Sequence, residues 1–307
     1  SGFAIDSSTS ILWSRNGDLW DQLDEIGYHV SERRNFYSLL RGLQQRADFI
    51  NDQFMPGPAA LDRFKVIYMT QRCITPVAAE RLLAWVQRGG TLIASVGCGQ
   101  LDELARPSNT MLDAFGIATI DVEKLEKKGR KFADAAAQAI AGTAITTRGV
   151  LATVKPSDAA VLAVFDDKRP AILEKWMGQG KLIYAAFLPG SSYHAGARLE
   201  KFVLVGYQTA VRELAAPWLA SAGAPDCATD NSAVSARLIE GKGGSAVVLI
   251  NCTGADSVER VKVTIMRPIG KPATVESLEH GKLSALIDSA RIEFELPLGL
   301  TDIVKIR

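Results

Sequence analysis

Residues 65–99, KVIYMTQRCITPVAAERLLAWVQRGGTLIASVGCG, constrain the fold more than any other stretch of the chain. Thr75 followed by Pro76 marks a helix start. The hydroxyl accepts from the first turn, and proline's missing N–H and fixed φ suit the first helical position. Ala79, Leu82, Leu83 and Val86 recur at the spacing of one helical face, and Gly89 stops the helix. "TLIASV" (Thr91–Val96) then runs without polar alternation, which is how a strand covered on both faces reads. Such a strand belongs to a parallel sheet, whose strands are joined by right-handed helical crossovers.

Neighbouring segments extend this pattern. "SILWS" (Ser10–Ser14), "ADFIN" (Ala47–Asn51) and "KVIYMT" (Lys65–Thr70) read as strands. A helix is expected from about Ser31, with Phe36, Leu39, Leu40 and Leu43 on one face. The pattern weakens between Lys124 and Lys155. There "KLEKKGRKF" is a charged loop and "DAAAQAIAGTAI" is either helix or an irregular insertion. "AVLAVF" (Ala160–Phe165) and "PAILEKW" (Pro170–Trp176) look like a hairpin, and "KLIYAAF" (Lys181–Phe187) like another buried strand. A long helix is expected over Leu199–Leu219, with Leu199, Phe202, Val203, Tyr207, Ala210, Val211 and Leu214 on its stripe. The fold class is therefore α/β, an open, mostly parallel sheet flanked by helices, of flavodoxin-like kind.

"SAGAPDCATDNS" (Ser221–Ser232) is a linker by composition. Beyond it the period changes to two. "AVSARLIE", "SAVVLINC", "ERVKVTIM", "ATVESLE", "ARIEFELP" and "TDIVKIR" are short strands separated by turn signals such as Gly241-Lys242-Gly243-Gly244. That spacing predicts a small all-β sandwich. The expected domains are 1–223 (α/β) and 224–307 (β).

Length allows two domains, since the chain has 307 residues. A net charge of +1 gives no overall field for nucleic acid or an anionic membrane. The basic segment Lys124–Lys131 lacks the interleaved aromatics of a nucleic-acid groove. No apolar run approaches the roughly 18–20 residues of a membrane span, so the expectation is a soluble chain with no membrane partner. The opening SGFAIDSSTS has neither the basic nor the apolar region of a signal peptide and lacks an initiator Met, which suggests a processed or excised chain of open compartment. Cys73, Cys98, Cys227 and Cys252 form no CxxC pair, and His29, His194 and His280 are the only histidines, so no metal site is expected. Glycine-rich phosphate cradles are absent too, and no cofactor is expected.

Two places could carry chemistry. Gly97-Cys98-Gly99 ends a buried strand, where a nucleophile elbow would present a thiol. An elbow, however, needs glycines two residues either side of the nucleophile, and here Val96 and Gln100 stand there. His194, after the last sheet strand, is the candidate base. The bland alternative is a tight turn with a small buried thiol. The second place is "FLPGSSYHAG" (Phe187–Gly196), at the carboxyl end of a parallel strand, where open α/β sheets hold ligands. Ser191, Ser192, Tyr193 and His194 could line a pocket there, or simply satisfy backbone groups and cover apolar surface. Asp102 and Glu103, adjacent in sequence, are expected in a solvated loop rather than facing each other across a glycosidic bond. Arg33 and Arg34 could pair with acids at a subunit contact, but are expected on a solvated helix face.

Four stretches in one order carry a family resemblance: "SERRNFYSLLRGLQQRADFIND", "FKVIYMTQRCITPVAAERLLAWVQRGGTLIASVGCGQLDE", "GKLIYAAFLPGSSY", and "VVLINCTG" with "VESLEHGKL" and "LPLGLTDIVKI". Together they resemble the non-catalytic part of β-galactosidases built from a TIM barrel, a trimerisation domain and a small C-terminal β domain. The resemblance implies a class I glutamine amidotransferase-like fold without amidotransferase activity. Aligning Gln100 with the glutamine of the amidotransferase motif places Val96 at the nucleophile position. His194 is followed by Ala195-Gly196 instead of Pro-Glu. What is implied is a sheet that kept its shape and lost the triad, with the catalytic glutamates on an upstream barrel of roughly 200–250 residues.

The leading expectation is an accessory and oligomerisation module of a larger β-galactosidase-like hydrolase, self-associating as a trimer and helping to wall the barrel's active site. A Cys98–His194 hydrolase or amidotransferase is one alternative. An oligosaccharide-binding protein is another, through Trp13, Trp20 and Tyr193 or the loop at Ser191–His194. The β domain is a poor lectin, because Phe294 is the only aromatic in residues 225–307.

Overall fold

The computed structural model describes residues 7–23, 28–55, 57–124, 134–200, 203–241, 244–266 and 274–307. Most of the charged stretch after Lys124 and part of the Gly241–Gly244 turn lie outside the described residues.

The chain begins with β1 (Thr9–Trp13), α1 (Arg15–Leu23), α2 (Tyr28–Gly42), β2 (Asp48–Asn51), α3 (Pro58–Leu61), β3 (Val66–Met69), α4 (Pro76–Gln87) and β4 (Thr91–Ala94). After α5 (Thr110–Phe115) come two antiparallel ribbons. In them β5 (Ile117–Lys124) pairs with β8 (Val150–Pro156), and β6 (Asp134–Ile140) with β7 (Thr143–Arg148). The hairpin β9 (Ala160–Val164) and β10 (Pro170–Met177) follows, then β11 (Gly180–Ala185). The main sheet has the order β2-β1-β3-β4-β11-β10-β9. Its first five strands are parallel, and β10 and β9 add on antiparallel. The parallel part thus has the 2-1-3-4-5 order of a flavodoxin-like doubly wound sheet.

Local chemistry explains why the central unit forms. Thr75 Oγ1 accepts from the Ala78 N–H at 3.2 Å, capping α4. Leu82, Trp85 and Val86 are buried against the sheet. The open end of α4 is closed by the β10–β11 turn, where the Gln179 N–H donates to the Gln87 carbonyl at 3.0 Å. An otherwise orphaned helix carbonyl is thereby satisfied. Close approach demands glycine at Gly180, since a Cβ there would collide with the backbone carbonyls of Val86 and Gly90.

Three expectations are corrected. The helix expected over Leu199–Leu219 is, in its described part, a small hairpin of β12 (Arg198–Glu200) and β13 (Val203–Val205). Beyond Gly206, at φ +77°, lie α7 (Thr209–Ala215) and a 3-10 turn over Ala216–Ala222. Leu199, the first residue of the expected stripe, is exposed, so the stripe is no single buried face. Pro217, lacking an N–H, ends the α-helical ladder. The alanine-rich stretch is neither helix nor irregular but β6 and β7, turned by Ala141 and Gly142 with both φ angles positive, as tight hairpins require. The first helix region begins at Tyr28 rather than Ser31, and α1, sparse in apolar residues, precedes it.

The C-terminal part comprises β14 (Cys227–Thr229), β15 (Val234–Gly241), β16 (Gly244–Asn251), β17 (Val258–Ile265), β18 (Val275–Ser277), β19 (Gly281–Lys282), β20 (Ala285–Ile287), β21 (Ile292–Leu298) and β22 (Thr301–Ile306). They form two antiparallel sheets, β14-β17-β21-β20 and β15-β16-β22-β18-β19. Alternate residues such as Val247 and Leu249, Val261 and Val263, and Phe294 and Leu296 fill the space between them. One apolar cluster runs from Ile11 to Leu219 and a separate one from Cys227 to Ile306. Polar contacts link the two parts: Gln44 Nε2 donates to the Val234 carbonyl at 3.2 Å, and Arg46 donates to that of Leu238.

Gly180→Ala is expected to destabilise the protein by about 3 kcal/mol or more, because the opposing atoms are backbone and cannot rotate away. Gly299→Ala, where an added methyl meets nothing within 4 Å, should stay within about 0.5 kcal/mol. Urea denaturation of the two variants measures the difference.

Candidate functional site

The carboxyl edge of the parallel strands is where this fold class places ligands. The chain leaves β4 through Ser95 and turns at Gly97 and Gly99, whose φ values of +78° and +68° suit glycine. Cys98 between them is 1% exposed. Its thiol donates to the Met69 carbonyl at 3.1 Å and lies 3.4 Å from Ser95 Oγ. The Gly97 N–H donates to the Tyr184 hydroxyl at 3.2 Å, and the Gly99 N–H to the Gln71 carbonyl at 3.0 Å. Burial pushes the Cys98 thiol up to about 12. A nucleophilic cysteine needs the opposite: access and a stabilised thiolate. The turn has the outline of an elbow, but its sulfur points into the core.

His29, on α2, is the histidine that faces this turn. A Cβ built on Gly97 would lie 3.6 Å from its Cε1. His29 is 1% exposed, and its pKa is driven down to about 3. Burial is the chief cause and the Arg72 charge adds to it, while neither ring nitrogen has a hydrogen-bond partner among the described residues. Arg72 also pairs with the buried Asp21 at 3.8 Å. His194 is elsewhere, packed edge-on against Tyr193 and Tyr207. Its pKa is lowered to about 4, by burial first and then by Arg148 and Arg41.

The stretch expected as a polar loop is a short helix, α6 (Pro189–Tyr193), and Ser191, Ser192, Tyr193 and His194 are all buried. Glu32 of α2 organises it. Its Oε1 accepts from the Tyr68 hydroxyl and from the Gly190 N–H, each at 2.7 Å, and its Oε2 accepts from the Ser191 N–H at 2.6 Å. Glu32 is fully buried, and burial raises its pKa against the pull of those donors. Asn35 Nδ2 donates to Ser191 Oγ at 3.3 Å, and the Gln208 N–H donates to the Tyr193 carbonyl at 3.0 Å. Gln208 Nε2 also donates to the Ser192 carbonyl. Tyr193 stacks on Tyr207 with centroids 4.6 Å apart.

His29 and Glu32 escaped the sequence reading, although a signal was present. They precede Phe36 by seven and four residues, so the stripe Phe36–Leu39–Leu40–Leu43 continues through both. Arg33 is corrected too: it does not lie on a solvated face but makes a two-pronged bond to Asp18, 2.9 Å on each arm, and lies 5.7 Å from the Trp13 ring centroid. Arg34 is exposed as expected. Asp102 binds Arg106 at 2.7 Å in an exposed turn, and the Glu103 carbonyl accepts from Trp20 Nε1. Among the described residues, no group of three or more His, Cys, Asp and Glu side chains could hold a metal ion.

Fold and site together define a flavodoxin-like α/β domain whose carboxyl edge is closed, followed by a β-sandwich. The β-galactosidase trimerisation domain family matches residues 7–203, and the chain belongs to that family. Curated protein sequences give no match. Among solved structures, the chain is similar to Gan42B, a GH42 β-galactosidase from G. stearothermophilus, with a TM-score of 0.70 at 16% identity over 98% of this chain and 40% of that one. The β-galactosidase from Bacillus circulans sp. alkalophilus gives 0.69 at 15% identity over 98% and 42%. That from the haloarchaeon Halorubrum lacusprofundi gives 0.67 at 17% over 100% and 40%. At these identities the likeness concerns the fold, and the chain spans about 40% of the length of each structure.

Two outcomes test this description of the edge. Iodoacetamide near pH 8 should label the partly exposed Cys252 first and reach Cys98 only on unfolding, as read by peptide mass spectrometry. Second, an ordinary histidine titrates near 6.5, whereas His29 stays neutral to about 3. Its contribution to stability is full above about 6.5 and is lost as pH falls towards 3, by up to about 1.4 kcal/mol per pH unit. His29→Gln removes that loss, so the stability of the wild type relative to the variant should fall on acidification. Parallel pH profiles would contradict it.

Proposed function

We propose that this chain is a non-catalytic accessory and self-association module of a larger β-galactosidase-like glycoside hydrolase, assembling as a trimer and helping to wall an active site carried by a TIM barrel. The observation that carries this reading is the match of residues 7–203 to the trimerisation family. The chain's likeness to about two-fifths of three β-galactosidases supports a module that works beside a further domain. The sealed Cys98 turn supports its inertness, because the position where an elbow would attack substrate is occupied by core packing. We further infer that residues 1–223 and 224–307 are separate folding units, since the two apolar clusters share no residue.

Size-exclusion chromatography with light scattering should return three times the chain mass, and a monomer at tens of micromolar would sink the self-association. The purified chain should leave nitrophenyl β-galactoside intact. Hydrolysis that disappears in Cys98→Ala would overturn the non-catalytic reading and restore the thiol as a nucleophile.

A further inference from the structure

A cavity of about 350 Å³ opens where the α/β part meets the β-sandwich, well sized for a small ligand. Arg41 of α2 and Arg212 of α7 both line it, with Tyr193, Ser38, Thr209 and Thr253. No acidic residue is among the lining residues. Neither guanidinium has an ion pair or side-chain hydrogen bond with a described residue, although exposed arginines elsewhere, such as Arg88, Arg106 and Arg260, find carboxylates. Each arginine stands in the last turn of its helix, where a cation complements the helix dipole. That accounts for each one separately, but not for their meeting at one cavity.

Tyr193 supplies the independent observation. The residue is 96% buried, its exposure being 4%, yet its hydroxyl has no hydrogen-bond partner among the described residues. The ring is locked by its stack on Tyr207, and the hydroxyl is set over Gly42, the neighbour of Arg41, where any Cβ would strike it. A Cβ built on Gly42 would also lie 3.7 Å from Arg212 Cδ, so Tyr193 and Arg212 meet at Gly42, and Arg41 lines the same cavity. That hydroxyl lines the cavity and is reached by solvent there, so it can donate to whatever enters. Two guanidiniums without carboxylates are the usual receptor for a forked oxyanion.

We propose that this cavity binds a small oxyanion, a phosphate or carboxylate group carried on a monosaccharide-sized molecule, held by Arg41 and Arg212 with Tyr193 donating its hydroxyl. Of the four residues expected to line a ligand pocket, Tyr193 is then the one that does so. Ser191 Oγ and the carbonyl of Ser192 are bonded to Asn35 and Gln208 within the fold, and His194 is packed among the tyrosines.

The test is calorimetric titration of the full chain at constant ionic strength with inorganic phosphate, glucose 6-phosphate, glucuronate and neutral glucose. Saturable binding of phosphate and glucose 6-phosphate but not glucose identifies a phosphate site, and a preference for glucuronate identifies a carboxylate site. Arg41→Gln and Arg212→Gln should each weaken the affinity about tenfold or more, with Arg260→Gln as an unaffected control. Tyr193→Phe, which keeps the stacked ring and so the fold, should weaken it about threefold or more. No saturation by any oxyanion, equal affinity for neutral glucose, or unchanged binding in folded Arg41→Gln and Tyr193→Phe variants would each overturn the proposal.

Discussion

One buried carboxylate holds the working edge of the sheet shut. Removing Glu32 from water is unfavourable by several kcal/mol unless its oxygens are bonded. The fold satisfies it three times, from Tyr68 on β3 and from two N–H groups at the start of α6. Those donors come from β3 and α6, separate parts of the chain, so the carboxylate ties together α2, the sheet and the short helix after β11. The stack of Phe36 on Tyr68, one turn along the same helix, seals the arrangement from water. Losing one of these bonds would leave a buried polar group unsatisfied.

That closure decides what the sheet can do. In an open α/β fold the loops after the parallel strands are free to hold a ligand. Here the β4 turn is pinned by Tyr184, Gln71 and Met69, and the loop after β11 is wound into α6 around Glu32. The shape of a nucleophile elbow survives, while burial gives its thiol a pKa far from that of a nucleophile. The open, cation-lined space lies instead between the α/β part and the β-sandwich, where Tyr193 joins the lining.

Much of this was legible in the residues. Thr75-Pro76, the apolar stripe of α4 and the unalternating β4 announced a parallel sheet, and the change to period two announced the sandwich, because local periodicity reports which faces are covered. The hairpin at β9 and β10 was legible for the same reason. The Leu199–Leu219 stretch misled because an apolar stripe can be written in sequence without being buried, and the left-handed Gly206 and the Pro217 interruption outweighed it. The alanine-rich β6–β7 ribbon misled because intrinsic helix preference is weak against pairing.

The candidate site divides along the same line. By itself, the sequence determined that Cys98 sits in a glycine turn with its glycines at the wrong spacing, and that His29 and Glu32 share a stripe with Phe36. Only the tertiary structure decided that His29, rather than His194, faces that turn, and that Glu32 meets Gly190 and Ser191 across 158 and 159 positions of chain. It alone brought Arg41 and Arg212 to one cavity with Tyr193. The reason is physical: periodicity is a property of neighbours along the chain, whereas burial, pKa and the pairing of a charge depend on atoms that only packing brings within a few ångströms.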